Sequence, residues 1–488
     1  MSDIALIPLL AFQEDGKYLA FVDGNPGLFY LLIVNVNNEN DSEKITTSEN
    51  PINFEICKSL KDLFTSLSIP NHFCSATDMG STKHFINSNI SININEVILF
   101  IFAEIDGFSV FEYCYTKLGY EYKKSRTVKW DSKKPLKALQ HEILVSCNPK
   151  KIIFQKSKLE LSMKALKSAL KPIEFIVVEN TPILPKHVTE ISKWFFNSFN
   201  NSKFHVIPTI SRTYRIIVII GTIQWLIISA DVYDRLPFNT SVEVTKLFQK
   251  VSMLQYNSKT KKCDTLYDLK NPTKCHKIKI IFNIDEQHFP SLKIEEIIIP
   301  SIKMLPQNLE KNFNEKIPVI GFYDISSVIC VYNEINEKYE FLCEWNGLFG
   351  KELFIDFTEE KPQYNTNNIE PLKTDLSSFV YDLIKIMSMP VDTIIIDEKW
   401  KFAITSNEDH PVLNEFDNFD RRKTAASPAF LMAMLLQEHR KIIKAKTGKK
   451  PKRIGFCLFD DFTPDESKRV KEQLQESCTL IKIQCCFI

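Results

Sequence analysis

Ser427-Pro-Ala-Phe-Leu-Met-Ala-Met-Leu-Leu-Gln-Glu-His-Arg-Lys-Ile-Ile-Lys-Ala-Lys-Thr-Gly448 leads into Arg453-Ile-Gly-Phe-Cys-Leu-Phe459 and Thr463-Pro-Asp-Glu466. Ser427 can cap free amide hydrogens, and Pro428 at the first helical position lacks the donor that would go unpaired. Phe430, Leu431, Met434, Leu435, Ile442 and Ile443 recur at helical spacing, with Gln437, Glu438, Arg440, Lys441 and Lys444 on the other face. The spacing predicts an amphipathic helix packed on one side. Lys444 and Lys446 suit the negative end of its dipole, and Gly448 can take the left-handed conformation that ends it. Arg453–Phe459 has the length and apolarity of a strand. Thr463 and Glu466 form a capping pair for a second helix reaching about Glu476, and Thr479-Leu-Ile-Lys-Ile483 is expected as a further strand. Helix, strand, helix, strand is an α/β crossover pattern.

The chain has 488 residues, enough for two to four domains. Hydrophobic residues at 44% and charged residues at 25% place it among ordinary globular proteins. Glycine departs from the ordinary: 12 residues, about 2.5%, against about 7% on average. Folds that hold phosphates with backbone amides need glycine for close approach, so the scarcity argues against an intact nucleotide site. A net charge of +1 gives no field that would steer the protein to nucleic acid or an anionic membrane, and neither is expected as a partner. The 12 cysteines are scattered and no secretory signal opens the chain. Reduced thiols in the cytoplasm, with the nucleus as alternative, are expected. Ile216 to Ile228 is the most apolar run; it is too short to span a bilayer and reads as a buried helix.

Along the chain, Leu31-Leu-Ile-Val-Asn-Val36 reads as a buried strand and Cys57–Phe64 as a short amphipathic helix. Val97–Glu112 reads as strand, tight turn, strand, and Tyr113 to Val128 continues it as a hairpin. Leu161–Leu170 reads as a helix, Phe175–Val178 as a strand, and Pro185 opens a helix carrying Ile191, Trp194 and Phe195. Arg235-Leu-Pro-Phe238 begins a β-rich stretch that includes Phe238–Tyr256 and Ile278–Gln287. Pro300 to Lys316 reads as a linker, and Ile317-Pro-Val-Ile-Gly-Phe-Tyr-Asp-Ile-Ser-Ser327 restarts a strand and turn.

The order and spacing from Ser427 to Ile483 resemble the first lobe of the nucleotide-binding domain of the seventy-kilodalton heat-shock chaperones, in the actin-like ATPase superfamily. Ser427-Pro428, Gly448-Lys449, the strand at Phe456 and the turn at Phe462 fall where that family has equivalents. The resemblance implies an α/β fold: actin-like ATPase, ribonuclease-H-like lobes plus a short β-rich domain of the peptide-binding kind. It divides the chain into an eroded first-lobe segment (1–92), a second-lobe segment (93–234), a β-rich segment (235–300), a linker (301–316) and a further first-lobe segment (317–488). Gly221–Ser229 would be the second lobe's closing helix. The family's leucine linker and helical lid have no counterpart. Such an order suggests a truncated tandem or fused fragment, with a circular permutation as the alternative.

The resemblance also implies ATP and magnesium as ligands, held by two glycine-rich hairpins, carboxylates and a lysine that aids the attacking water; charge stabilisation is most of such catalysis. In the first loop the family's Asp falls on Tyr323 and its Gly on Ile325, while the two hydroxyls survive as Ser326 and Ser327. Asp324 stands one step away as a substitute carboxylate, and Lys385 is adjacent to the lysine position, which falls on Ile384. A one-residue shift along a strand turns a side chain to the opposite face. In the second loop the Asp is Phe102 and the glycines are Glu104, Ile105 and Asp106; each carboxylate would oppose a phosphate by about 1 to 4 kcal/mol near 4 Å. The adenosine turn reads Glu179-Asn-Thr-Pro-Ile183, and Phe459 replaces a proline.

These substitutions predict a pseudo-ATPase that acts by binding protein or unfolded-peptide partners. The alternative is a divergent ATP-dependent chaperone using Asp324, Ser326 and Ser327 on phosphate and Lys385 in catalysis. A decaying duplicate is the third. Cys263, Cys275, His276 and His288 lack zinc-knuckle spacing, so no metal is expected. Lys123, Lys124, Arg126, Lys129, Lys133 and Lys134 around Trp130 read as a solvated face, and Lys444 to Arg453 as helix-end cations ahead of a nuclear address. Cys485-Cys486 reads as an ordinary pair of tail cysteines ahead of an acylation or redox site. No Ser/His/Asp set has a hydrolase spacing.

Overall fold

The computed structural model describes residues 6–12, 18–25, 28–35, 38–48, 54–131, 133–155, 160–196, 203–220, 223–246, 248, 250–257, 260–364 and 376–488. Among these the chain is mixed α/β, with ten α-helices and several separate sheets.

The first strands, β1 (Leu6–Phe12), β2 (Tyr18–Asn25), β3 (Leu28–Asn35) and β4 (Asn38–Ser48), form an antiparallel meander. After α1 (Phe54–Ser66), β5 (Asn71–Ser75) pairs with β1 and completes the order β4-β3-β2-β1-β5. Of the strand expected at 31–36, residues 31–35 lie in β3 and Val36 lies outside the described residues; the helix expected at 57–64 lies in α1. Then α2 (Ala76–Ser88) starts directly from β5: Ser75 Oγ accepts from the Asp78 amide, and Asn89 in the left-handed region ends the helix.

A second sheet follows. The meander β6 (Val97–Glu104), β7 (Gly107–Thr116), β8 (Gly119–Lys129) is succeeded by α3 (Leu136–Leu144), β9 (Lys151–Gln155), α4 (Glu160–Ala169), β10 (Glu174–Val178) and α5 (Pro185–Phe196). The order is β10-β9-β6-β7-β8, with β9 parallel to both β6 and β10. Period-2 alternation buries both faces of β6. Leu99 and Ile101 pack with Leu139, Ile143 and Leu166 of α3 and α4, while Ile98 and Phe100 pack with Phe85 of α2.

The next segment is a pair of antiparallel sheets. One is β12 (Ile223–Ala230), β11 (Tyr214–Ile220), β14 (Lys250–Asn257), β15 (Lys262–Lys270) in spatial order; the other is β13 (Phe238–Thr245), β16 (Lys277–Ile284), β17 (Pro290–Ile297). The helix expected across 216–228, and with it the closing helix at 221–229, is instead the antiparallel pair β11 and β12, residues 221–222 lying outside the described ones. Ile216 to Ile220 are all β-branched, stiff at χ1 and suited to a pleated surface, a preference that outweighs continuous apolarity. The β-rich segment therefore begins near Tyr214, upstream of residue 235. On β16 the alternation is clean, with Ile278, Ile280, Phe282 and Ile284 buried. The β16–β17 turn reaches the N-terminal segment: Lys61 pairs with Asp285 at 2.6 Å, Phe73 meets Phe289, and His288 Nε2 lies 3.1 Å from Asp78.

Residues 300–316 are not a free linker. They hold α6 (Pro300–Lys303) and α7 (Leu305–Asn312), whose Ile302, Leu305 and Leu309 pack on the sheet that follows, a consequence of their helical spacing. That sheet comprises β18 (Val319–Tyr323), β19 (Ser326–Asn333) and β20 (Lys338–Phe341). Short strands come next: β21 (Lys351–Glu352), β22 (Phe354–Asp356), β23 (Gln363–Tyr364) and β24 (Phe379–Tyr381). After α8 (Leu383–Ser388) come β25 (Ala403–Thr405), β26 (Leu413–Asp417) and β27 (Lys423–Ala426), then α9 (Pro428–Thr447), β28 (Arg453–Leu458), α10 (Pro464–Leu480) and β29 (Gln484–Phe487). The main order is β20-β19-β18-β28-β29, with β28 parallel to β18 and β29. Counted along the path from its first strand, this order and β10-β9-β6-β7-β8 both run third, second, first, fourth, fifth, unlike the N-terminal β4-β3-β2-β1-β5.

The ends of α9 and α10 follow their sequence signals. Ser427 Oγ accepts from the Phe430 amide, Gly448 is left-handed at φ 71°, and Thr463 and Glu466 cap each other reciprocally. However, α10 continues to Leu480, so Thr479 and Leu480 end a helix where a strand was expected; Thr479 Oγ1 donates to Gln475 O, and the strand starts only at Gln484. Leu431, Leu435 and Leu436 of α9 join Val470 and Leu474 of α10 in the core. Removing the Thr463 cap by Thr463→Ala is expected to lower hydrogen-exchange protection of α10 by about 1 kcal/mol. Leu435→Ala is expected to cost about 2–5 kcal/mol in the same measurement on α9 and β28.

Candidate functional site

Tyr323 pairs with Ser326 across β18 and β19, leaving Asp324 and Ile325 as the turn. Asp324 takes a left-handed φ of 49°, a conformation short polar side chains tolerate better than most. Its amide donates to both carboxylate oxygens of Asp460, at 2.9 and 2.8 Å, just beyond β28. Asp382, also left-handed, precedes α8 and accepts from Trp400 Nε1 at 3.0 Å. One turn on, Lys385 donates to Asp397 at 2.8 Å and lies 4.0 Å from Asp382.

The structure thus gathers Asp324, Asp382, Asp460 and Lys385 into one electrostatic neighbourhood, joined by Lys277. Burial raises the Asp324 carboxyl to about 6; Asp382 and Asp460 push the same way, while Lys277 and Lys385 oppose them. Asp382 and Asp460 are themselves held above the usual carboxylate range, chiefly by burial. Sequence reasoning selected Asp324 and Lys385 but missed Asp382, Asp460 and Lys277. Asp382 stands three residues from Lys385, but Lys277 and Asp460 arrive from distant elements and carry no local motif.

The two serines are deep in the sheet. Ser327 is fully buried; its Oγ lies 2.9 Å from His439 Nε2 and accepts from Trp345 Nε1 at 3.0 Å. His439 Nδ1 donates to Leu435 O at 2.7 Å, which leaves Nε2 to accept the Ser327 proton. Burial depresses this imidazole to about 4, so it is neutral near pH 7. Ser326 is also buried. Tyr323, where the family resemblance expects a carboxylate, is fully buried and donates to Phe349 O at 2.6 Å.

The β-rich segment covers this turn. Lys246, whose side chain is 4% exposed, donates to the same Phe349 carbonyl at 2.6 Å and pairs with Glu352 at 3.6 Å. The Ile299 amide donates to His276 Nδ1 at 2.8 Å, so His276 Nε2 donates to Leu348 O at 2.7 Å. The His276 ring lies edge-on to Tyr323, centroids 5.0 Å apart. One hydrophobic cluster runs unbroken from Ile278 and Ile280 to Ile320 and Phe322.

The two other family positions differ: the β6–β7 turn is exposed, and the segment at 179–183 is held by α2. Around the β6–β7 turn, Phe102 packs among Phe100, Phe111 and His84; Ile105 is 92% exposed, and Glu104 accepts from Ser109 at 3.1 Å. At 179–183, Lys83 donates to Asn180 Oδ1 and Thr181 O, and Asn87 donates to Thr181 Oγ1. Cys275, His276 and His288 serve separate contacts, and among the described residues no group of three or more His, Cys, Asp or Glu could hold a metal ion. Much of the basic cluster is tied up in ion pairs: Lys123 with Glu121, Arg126 with Glu112, Lys134 with Glu142. No helix among the described residues is long and apolar enough to cross a membrane.

The Asp324 shift has a definite sign in pH. A carboxyl raised from 3.8 to about 6 binds its proton more tightly folded than unfolded, so its favourable contribution is complete below pH 4 and lost as pH rises through 6. Asp324→Asn is therefore expected to be more stable than the parent at pH 7.5, by on the order of 2 kcal/mol. In thermal unfolding at stepped pH that difference should shrink to zero near pH 4. A difference that is flat with pH, or grows toward acid, would contradict the assignment.

No protein-family model matches the chain, and no curated protein matches it either, so the site is read from its own geometry.

Proposed function

We propose that the chain is a chaperone-like pseudo-ATPase: a nucleotide-binding architecture of the actin-like kind that works by holding protein or unfolded-peptide partners. The common strand order of β10-β9-β6-β7-β8 and β20-β19-β18-β28-β29 supports this reading, since a meander followed by two parallel crossover strands is the ribonuclease-H-like arrangement of such lobes. So does the insertion in the second of them, where β21 to β27 and α8 lie between β20 and α9. The β-sandwich of β11 to β17 is the candidate for partner binding.

The observation that carries the loss of nucleotide is the β18–β19 turn. Backbone amides approach phosphate only where side chains are small and the turn is open. Here Tyr323 and Ile325 are bulky and buried, Ser327 is committed to His439 and Trp345, and Lys246 and His276 bind the neighbouring Phe349 and Leu348 carbonyls. A second reading, residual ATP-driven activity, is favoured by one feature, the convergence of Asp324, Asp382, Asp460 and Lys385. A cytoplasmic or nuclear setting goes with either reading, given cysteines without a disulfide framework.

Magnesium ATP at millimolar concentration is expected to leave the melting temperature unchanged, because a ligand of the native state must raise it. Under the same conditions the chain should retain a reduced, alkylated unfolded polypeptide on size-exclusion chromatography, with or without ATP. A saturable ATP shift accompanied by phosphate release would install the second reading. Failure to retain the polypeptide would remove the proposed mode of action.

A further inference from the structure

Away from the covered turn, a cavity of about 150 Å³ lies between β5, α2, α5 and residues 203–208. Five rings line it, Phe204 and four more that form two stacks. Trp194 stacks on His205 with centroids 3.3 Å apart and planes 12° from parallel, and His72 stacks on Phe195 at 3.4 Å and 23°. The two stacks meet edge-on, Trp194 against Phe195 at 4.6 Å and 76°. Burial lowers both imidazoles to about 3, so at neutral pH they contribute uncharged rings.

The charged lining is unbalanced. Glu190 and Lys193 of α5 pair with each other at 2.5 Å, and Lys203 is turned to Asn89 at 3.1 Å and the face of Phe204. Glu286 adds a carboxylate at the edge, while Asp78, 7% exposed, adds one inside. Asp78 accepts a hydrogen bond from Ser75 Oγ at 2.8 Å and has His288 Nε2 at 3.1 Å. Ring faces are negative, and a buried carboxylate beside them favours a positive guest and disfavours an anion. A volume near 150 Å³ accommodates a benzene-sized ring.

We propose that this cavity is a binding site for a flat organic monocation, an arylalkylammonium or aryl amidinium, with its ring against the Trp194–Phe195 wall and its charge toward Asp78. The proposal stands apart from the nucleotide question, because none of the residues of the β18–β19 turn lines the cavity.

The test titrates the full chain at pH 7.5 with three probes of equal size: benzylammonium, benzyl alcohol and benzoate. Binding is read by saturation-transfer NMR and by thermal shift. Benzylammonium is expected to bind saturably and about tenfold more tightly than benzyl alcohol, with benzoate not binding. Asp78→Asn should abolish the preference for the cation. Since the Asp78 carboxylate also holds the Ser75 hydroxyl that caps α2, Thr82→Phe serves as an independent variant that fills the space and should remove binding of every probe. The proposal is overturned if benzylammonium does not bind, if the alcohol or benzoate binds as well as it does, or if Thr82→Phe leaves its affinity unchanged.

Discussion

The carbonyl oxygen of Phe349 accepts two hydrogen bonds of 2.6 Å, one from the Tyr323 phenol and one from the Lys246 ammonium. A lysine with a side chain only 4% exposed is costly unless its charge is met, and here a carbonyl and Glu352 meet it. Both donors are brought there by different layers: Tyr323 ends the central strand of the C-terminal sheet, and Lys246 follows β13 of the sandwich. Moving either layer would strand a buried donor. The arrangement of the sandwich over the turn is therefore fixed by polar satisfaction as well as by the shared apolar core.

Much of the local structure was legible because the signals that specify it are local. Ser427, Gly448, Thr463 and Glu466 each act within a turn of their own position, and the caps appear where those residues stand. The apolar run at 216–228 misled because a fully buried strand and a buried helix look alike without periodicity. Its β-branched composition held the answer. Residues 300–316 were opaque for a different reason: Ile302, Leu305 and Leu309 declare an apolar face, but the surface that receives it is formed by Val319, Val328 and Tyr339, further along the chain. The site was half legible. Asp324 and Lys385 could be selected by pattern, whereas Lys246, His276 and Asp460 enter through tertiary contacts that no spacing announces.

The two similarly ordered sheets spend their loops differently. Between β8 and α3 the chain crosses in a few residues, while between β20 and α9 it builds two small sheets and a helix. Histidines are likewise concentrated in built contacts. His439 orients Ser327, His276 ties Leu348 to Ile299, and His187 bridges Leu184 to Asn87. Their imidazoles are used as neutral two-ended connectors, a role that burial enforces by disfavouring the charged form.

The sandwich is anchored at both ends. Lys246 and His276 hold it to the C-terminal sheet, and Asp285 and His288 hold it to Lys61 and Asp78 near the start of the chain. A beam pinned at two supports cannot tilt at one without loading the other. A ligand that bound the sandwich more tightly with its joints closed would strengthen both of them, and by reciprocity loosening one joint would weaken its hold.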